Sequence, residues 1–223
     1  MTDTPKPRST GRRLDPELRR NMILDRTAML IAREGVSAVS MERIGREAGV
    51  SKALIYVYFK NQTALLQSLL LREQRRLTDQ QSSAVGRAGD FKETVFNTTR
   101  TYLRYFEENG ILLQRLLNEP SLAAAFEEHD RAERPRVVNT LARQMAETYD
   151  LPLRVAKVAT ELSMAMTGAA GGMISRGEIS SSKVEEIILC LFDGSMTTLS
   201  ERFGKNAAKV RLAADPKPVV TGL

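Results

Sequence analysis

Two lysines, two tyrosines and a serine fall within ten residues of one another in 51-SKALIYVYFK-60. Their ammonium and hydroxyl groups are hydrogen-bond donors with no carboxylate among them, which is the chemistry that meets phosphate oxygens. Elsewhere, reactive residues are sparse. His129 is the only histidine and Cys190 the only cysteine. His129 stands beside Glu127, Glu128 and Asp130, but adjacent helical residues point in different directions and make no acid–base pair. No glycine-rich phosphate loop and no metal-ligand spacing is present, so no enzyme activity, metal or cofactor is expected. Cys190, inside the apolar run EEIILCLF, reads as a small buried hydrophobe. One cysteine cannot form an internal disulfide, which suits a reducing cytoplasm.

Charge points to the same end of the chain. The 223 residues carry a net charge of +6. Through Gln62 there are 12 Lys/Arg against 7 Asp/Glu, and beyond it 21 against 20. An excess of positive charge confined to the first quarter suggests a polyanion docking there. No stretch approaches the roughly 18 apolar residues of a membrane span, so no membrane partner is expected. The opening MTDTPKPRSTGRRLD lacks the apolar segment of a secretory signal. Residues 1–14 read as a disordered basic arm, and 205–223 as a weakly ordered tail.

The elements that must position these residues are helical almost throughout. Asp15-Pro16 pairs an N-cap with a proline suited to the first helical position, and Gly35 is a usual stop. Between them Ile23, Thr27, Leu30 and Ile31 recur at helical spacing. Ser40 caps a short helix to Ala48, Gly49 permits a sharp turn, and Ser51 and Asn61 open two further helices. Leu65, Leu66, Leu69 and Leu70 share one face of the latter. A helix face of Phe91, Val95, Tyr102 and Phe106 follows, then a separate short helix ILLQRLLNE ending at Pro120. Pro135 is expected to divide the next region into two helices. Two long helices, about 152–176 and 181–203, close an all-α chain. The last is apolar on nearly every side and so is expected to be buried, against a second copy of itself.

LIYVYF has the composition of a strand, but no second strand is available to pair with it. As a helix it points Ile55 and Phe59 inward and leaves Lys52, Ala53, Tyr56 and Tyr58 outward. Three short helices with a glycine turn before the third form a helix-turn-helix, whose third helix enters the major groove of DNA. The small Ala53 permits close approach and contact with a thymine methyl.

Residues 23–66, ILDRTAMLIAREGVSAVSMERIGREAGVSKALIYVYFKNQTALL, strongly resemble the DNA-binding domain of the TetR (tetracycline-repressor) family of bacterial transcription regulators. The matches include Ile23, Leu24, Gly35, Ile44, Ala48, Gly49, Val50, Ser51, Ile55, Tyr56, Tyr58, Phe59 and Leu65. Departures stand at Gly45, which weakens the second helix, at Leu54, and at Gln62-Thr63, where a Lys-Glu pair is familiar. The resemblance implies that Ser40 binds a phosphate, that Arg43 reaches a base or phosphate, and that Ser51, Lys52, Ala53 and Leu54 meet base edges. Tyr56, Tyr58 and Lys60 would hold the backbone. Arg12 and Arg13 could add minor-groove or phosphate contacts, with simple disorder the preferred reading.

The resemblance further implies a helix-turn-helix domain at 15–62 and a helical ligand-binding and dimerisation domain at 63–204. A homodimer joined through its last two helices would read a palindromic double-stranded operator. A small, hydrophobic effector would release it, making the protein a cytoplasmic repressor. Ligand candidates are Tyr102, Phe106, His129, Leu162 and Met166, the last two on a stripe with Val155, Val158 and Met173 that reads by default as core. The competing reading is a helical-bundle binding or assembly protein that does not touch DNA.

Overall fold

The computed structural model describes residues 15–85 and 88–204, apart from the side chains of 123–127, 129 and 130. The arm at 1–14 and the tail at 205–223 lie outside the described residues. All described elements are helical, and none is long and apolar enough to cross a membrane. The chain divides into two compact units, one ending at Leu69 and the other beginning at Leu70.

In the first unit, α1 (Pro16–Glu34) begins with the Asp15 carboxylate accepting the Glu17 N–H at 2.8 Å and ends at Gly35, whose φ of +92° suits glycine. Ile23, Leu24, Leu30 and Ile31 are fully buried. Thr27 is buried among them because its hydroxyl donates to the Ile23 carbonyl at 2.8 Å, so no polar group is stranded. A 3-10 turn (Val36–Ala38) leads to α2 (Met41–Glu47), which Ser40 caps through the Arg43 N–H. Gly49, with φ +64°, turns the chain into α3 (Lys52–Tyr58).

Gly45 does more than weaken α2. It is buried, and a methyl group there would stand 2.9 Å from the Val50 carbonyl oxygen. The bare backbone lets α2 lie close to the start of α3, where the Val50 N–H donates to the Gly45 carbonyl at 2.8 Å.

The helix α4 (Gln62–Val85) begins on Asn61, whose side-chain oxygen accepts the Ala64 N–H at 2.8 Å. The second unit adds α5 (Phe91–Leu117), α6 (Pro120–Thr148), α7 (Leu153–Ser175) and α8 (Ser181–Phe203), with α5 and α6 both packed on α7. Its core has two clusters, one around Phe91, Met145, Phe192 and Met196, the other around Leu103, Ile174, Val184 and Ile188.

Four expectations fail here for one reason, that packing overrides local signals. The helix expected to stop before ILLQRLLNE runs unbroken through Gly110. That glycine is a contact point, since a methyl there would collide with the Ser175 side chain on α7. Pro135 lies inside α6 instead of dividing it. An interior proline costs about 3 kcal/mol, but buried Leu122 before it and Val138, Ala142 and Met145 after it hold both halves. Apart from Ile174, the buried residues of α7 are small: Ala156, Ala159, Thr160, Ala170 and Gly171. A methyl at Gly171 would meet the Tyr102 ring at 2.8 Å, so close approach of α5 turns the large residues outward. Val158 and Leu162 are therefore 56% and 66% exposed, where the stripe reads as core. Cys190 is also exposed, because α8 turns Val184, Ile188, Phe192 and Met196 inward.

Candidate nucleic-acid interface and helical cavity

The short α3 is held from below and open above. Ser51 caps it by accepting the Leu54 N–H at 3.2 Å. Ile55 and Phe59 are buried, and the Arg20 guanidinium lies 5.4 Å from the centre of the Phe59 ring. Burying these two side chains contributes roughly 1.5–3 kcal/mol each. The opposite side exposes Lys52, Ala53, Tyr56, Val57 and, just past the helix, Lys60. Leu54 and Tyr58 are only half-exposed, with the Tyr58 ring tilted against Phe59 at 6.4 Å. Because the Ser40 and Ser51 oxygens accept backbone N–H groups, each hydroxyl hydrogen stays available to donate.

Arg43 is engaged within the protein. Its guanidinium donates to Glu34 at 2.8 Å and lies 3.9 Å from Glu47, while Arg33 pairs with Glu34 at 2.9 Å and Glu47 at 3.2 Å. The hydrogen bond from Arg33, with help from Arg43, holds the Glu34 carboxyl below its ordinary range.

Within the second unit, a cavity of about 620 Å³ opens among α4, α5, α6, α7 and α8. Phe91, Val95, Met145, Met164 and Phe192 supply apolar wall, and Thr94, Thr98, Thr99, Thr160, Ser163 and Thr167 supply hydroxyls. Tyr102 completes one side, its ring stacked on Phe106 at 4.5 Å. Alongside, buried Glu73 of α4 accepts from the Tyr105 hydroxyl of α5 at 2.7 Å and from Arg72 and Arg76 at 2.8 and 3.3 Å. Burial and this carboxylate keep the Tyr105 phenol protonated well above its ordinary range.

Residues 23–69 match the model of the bacterial regulatory proteins of the tetR family. These residues carry a TetR-type DNA-binding domain. A relative, an uncharacterized HTH-type transcriptional regulator of Haemophilus influenzae, is 29% identical over 100 residues, 45% of this chain and 54% of that protein. The match thus spans about half of that relative's length. Among solved structures, a candidate transcriptional regulator of Pseudomonas aeruginosa PAO1 superposes with a TM-score of 0.69 at 19% identity, covering 86% of this chain and 96% of that one. A TetR-family regulator of Streptomyces coelicolor gives 0.63 at 18%, covering 83% and 97%. At such identities the two structural likenesses concern the fold.

In this TetR-type DNA-binding domain, the structure brings Ser51, Lys52, Ala53, Tyr56 and Lys60 onto one exposed surface. Arg43 instead faces two glutamates, and Leu54 and Tyr58 turn partly toward the protein. Sequence reasoning passed over Val57, which is 75% exposed; its place between two outward tyrosines was the available signal. Of the ligand candidates, Tyr102 lines the cavity and Phe106 stands behind it. Met166 packs on the Leu103–Ile174 cluster, and Leu162 faces outward. The His129 side chain lies outside the described residues. The cavity threonines were missed, although ETVFNTTRTY places hydroxyls at helical spacing among apolar residues.

Proposed function

We propose that the protein is a homodimeric repressor that binds a two-fold symmetric operator and leaves it when a small molecule occupies the cavity of the second unit. The observation that carries this reading is the outward surface of α3, where Lys52, Ala53, Tyr56, Val57 and Lys60 stand exposed on a helix anchored by Ile55 and Phe59. Lys52 and Ala53, at the leading end, meet base edges. Tyr56 and Lys60 donate to phosphates, and Ser40, Ser51 and Tyr58 add hydroxyls. Leu54 adds an apolar contact at the leading end. Arg43 joins once phosphate replaces Glu34 and Glu47 as its partner.

Dimerisation is supported by the second apolar face of the closing helices. Val158, Leu162 and Met173 on α7 and Ile187 and Leu191 on α8 are exposed in the single chain, more apolar surface than a monomer usually shows. A dimer through this face carries two recognition helices, matching half-sites one or more DNA turns apart. The cavity supports an effector, since its volume lies in the range of small-molecule sites. The effector acts through differential affinity for two arrangements of the dimer, transmitted by α4, and the regulator works on cytoplasmic DNA.

Recovery of genomic DNA bound to the protein, followed by gel shift on the recovered fragments, tests the reading. A retarded complex that survives excess nonspecific DNA and weakens steeply with salt is expected. Absence of any preferred fragment returns the protein to the class of helical assembly proteins.

A further inference from the structure

The reading of the cavity as an effector site leads to a statement about the effector itself. Among the described residues lining the cavity, only Glu133 and Arg136 carry charge near neutral pH. They are of opposite sign, three residues apart, and both exposed on α6. Deeper in, the wall is Phe91, Met145 and Phe192, all buried, with neutral polar groups between them. A buried charge without a partner is strongly unfavourable, and this interior offers no counter-charge. Tyr102, the remaining ionisable wall group, is pushed up to about 12 by burial and stays a neutral phenol.

The hydroxyls divide into two sets. Thr94, Thr98, Thr160 and Thr167 each donate to the carbonyl four residues back, at 2.9, 2.7, 2.8 and 3.0 Å. Their donors are spent. Thr99, which is 7% exposed, Tyr102 and, on α7, Ser163 have no side-chain hydrogen-bond partner among the described residues; Thr99 and Tyr102 share one helix. They stand three residues apart on α5, on neighbouring positions of one helical face. The Thr99 and Tyr102 O–H donors, facing an open cavity away from the charged pair at Glu133 and Arg136, call for an acceptor on the ligand, because a ligand that covers a donor without pairing it forfeits that donor's bond to water.

We propose that the effector is an uncharged, mainly apolar molecule whose alcohol, ketone or ether oxygen accepts hydrogen bonds from Thr99 and Tyr102. An apolar body fills the space between Phe91, Met145, Met164 and Phe192. A fixed carboxylate or ammonium group is excluded from the interior.

Calorimetric titration of the full chain at neutral pH with 1-decanol, decanoate and decylammonium tests this, since the three share one apolar body. Decanol is expected to bind at least about tenfold more tightly than either ion, and Thr99→Val and Tyr102→Phe to weaken it roughly fivefold each. Met164→Trp, which fills the cavity, is expected to abolish binding; Ser163→Phe replaces it if that variant does not fold. An ion that binds as tightly as decanol, and is lost on filling the cavity, overturns the uncharged class while leaving the effector site in place. Decanol binding indifferent to Thr99→Val and Tyr102→Phe overturns the two donors. Failure of all three probes, or binding that survives the filled cavity, removes the effector site and this inference with it.

Discussion

Tyr56 and Val57 stand side by side on α3, 48% and 75% exposed, and they make different predictions. Tyr56→Phe removes one hydrogen bond to a charged phosphate, worth about tenfold or more in operator affinity. The oligomeric state is unchanged, and fluorescence anisotropy with a sizing column checks both. Val57→Ser removes an apolar surface suited to a thymine methyl, so it relaxes base preference at one position more than it lowers nonspecific affinity. Competition between operator variants reads that difference. Arg43 makes a third case. Glu34→Gln weakens its hold, so nonspecific DNA binding tightens and the salt dependence steepens by about one phosphate contact.

Tyr102 has a consequence for stability in alkali. Its pKa is raised to about 12 by burial, against about 10 in the unfolded chain. Above pH 10 the unfolded state loses this proton first, so stability falls as pH rises from 10 toward 12. Tyr102→Phe is expected to remove part of that alkaline loss, measured as Tm against pH.

At the scale of elements, the α5–α7 contact is the tightest point. Gly110→Ala is expected to lower Tm by several degrees, because the added methyl meets Ser175. Ser175→Gly in the same chain should recover part of the loss; a Tm unaffected by Gly110→Ala contradicts the contact. The Glu73–Tyr105 bond makes a parallel test, since Tyr105→Phe leaves a buried carboxylate short of one donor and costs roughly 1–3 kcal/mol.

These elements also show what the chain discloses before it folds. Asp15-Pro16, Gly35, Ser40, Gly49, Ser51 and Asn61 act within one turn of themselves, so their roles could be read directly. Tyr56 and Lys52 were legible for the same reason, on a helix too short to hide them. Gly110 and Pro135 imitate local stops, yet their fate is decided by partners such as Ser175, 65 positions away. Val158, Leu162 and Cys190 were misplaced because α7 and α8 are apolar on two faces, and periodicity alone does not say which face the chain itself covers. The cavity depends on five helices at once, so Met145 and Met164 carried no mark of it.

At the scale of the whole molecule, the two faces of α7 and α8 divide the work. The inner face closes the second unit; the outer one leaves Val158, Leu162 and Leu191 exposed, and in the proposed dimer it would meet a second copy. Leu162→Asp is expected to convert a dimer to a monomer by light scattering, with little change in Tm at high dilution. Operator affinity then falls far more than tenfold, since one half-site binds without the other. A Leu162→Asp protein that remains dimeric refutes this face as the interface.

Pro135 falls in α6 between Glu133 and Arg136, both of which line the cavity. Having no N–H, it cannot bond the Arg131 carbonyl, and the α6 ladder lacks one rung there. A helix parts most readily where a rung is already missing, which makes this stretch the natural doorway for a molecule entering from solvent. Amide hydrogen exchange just after Pro135 is therefore expected to outpace that of equally exposed amides in α5 and α7, and to slow when the cavity is filled.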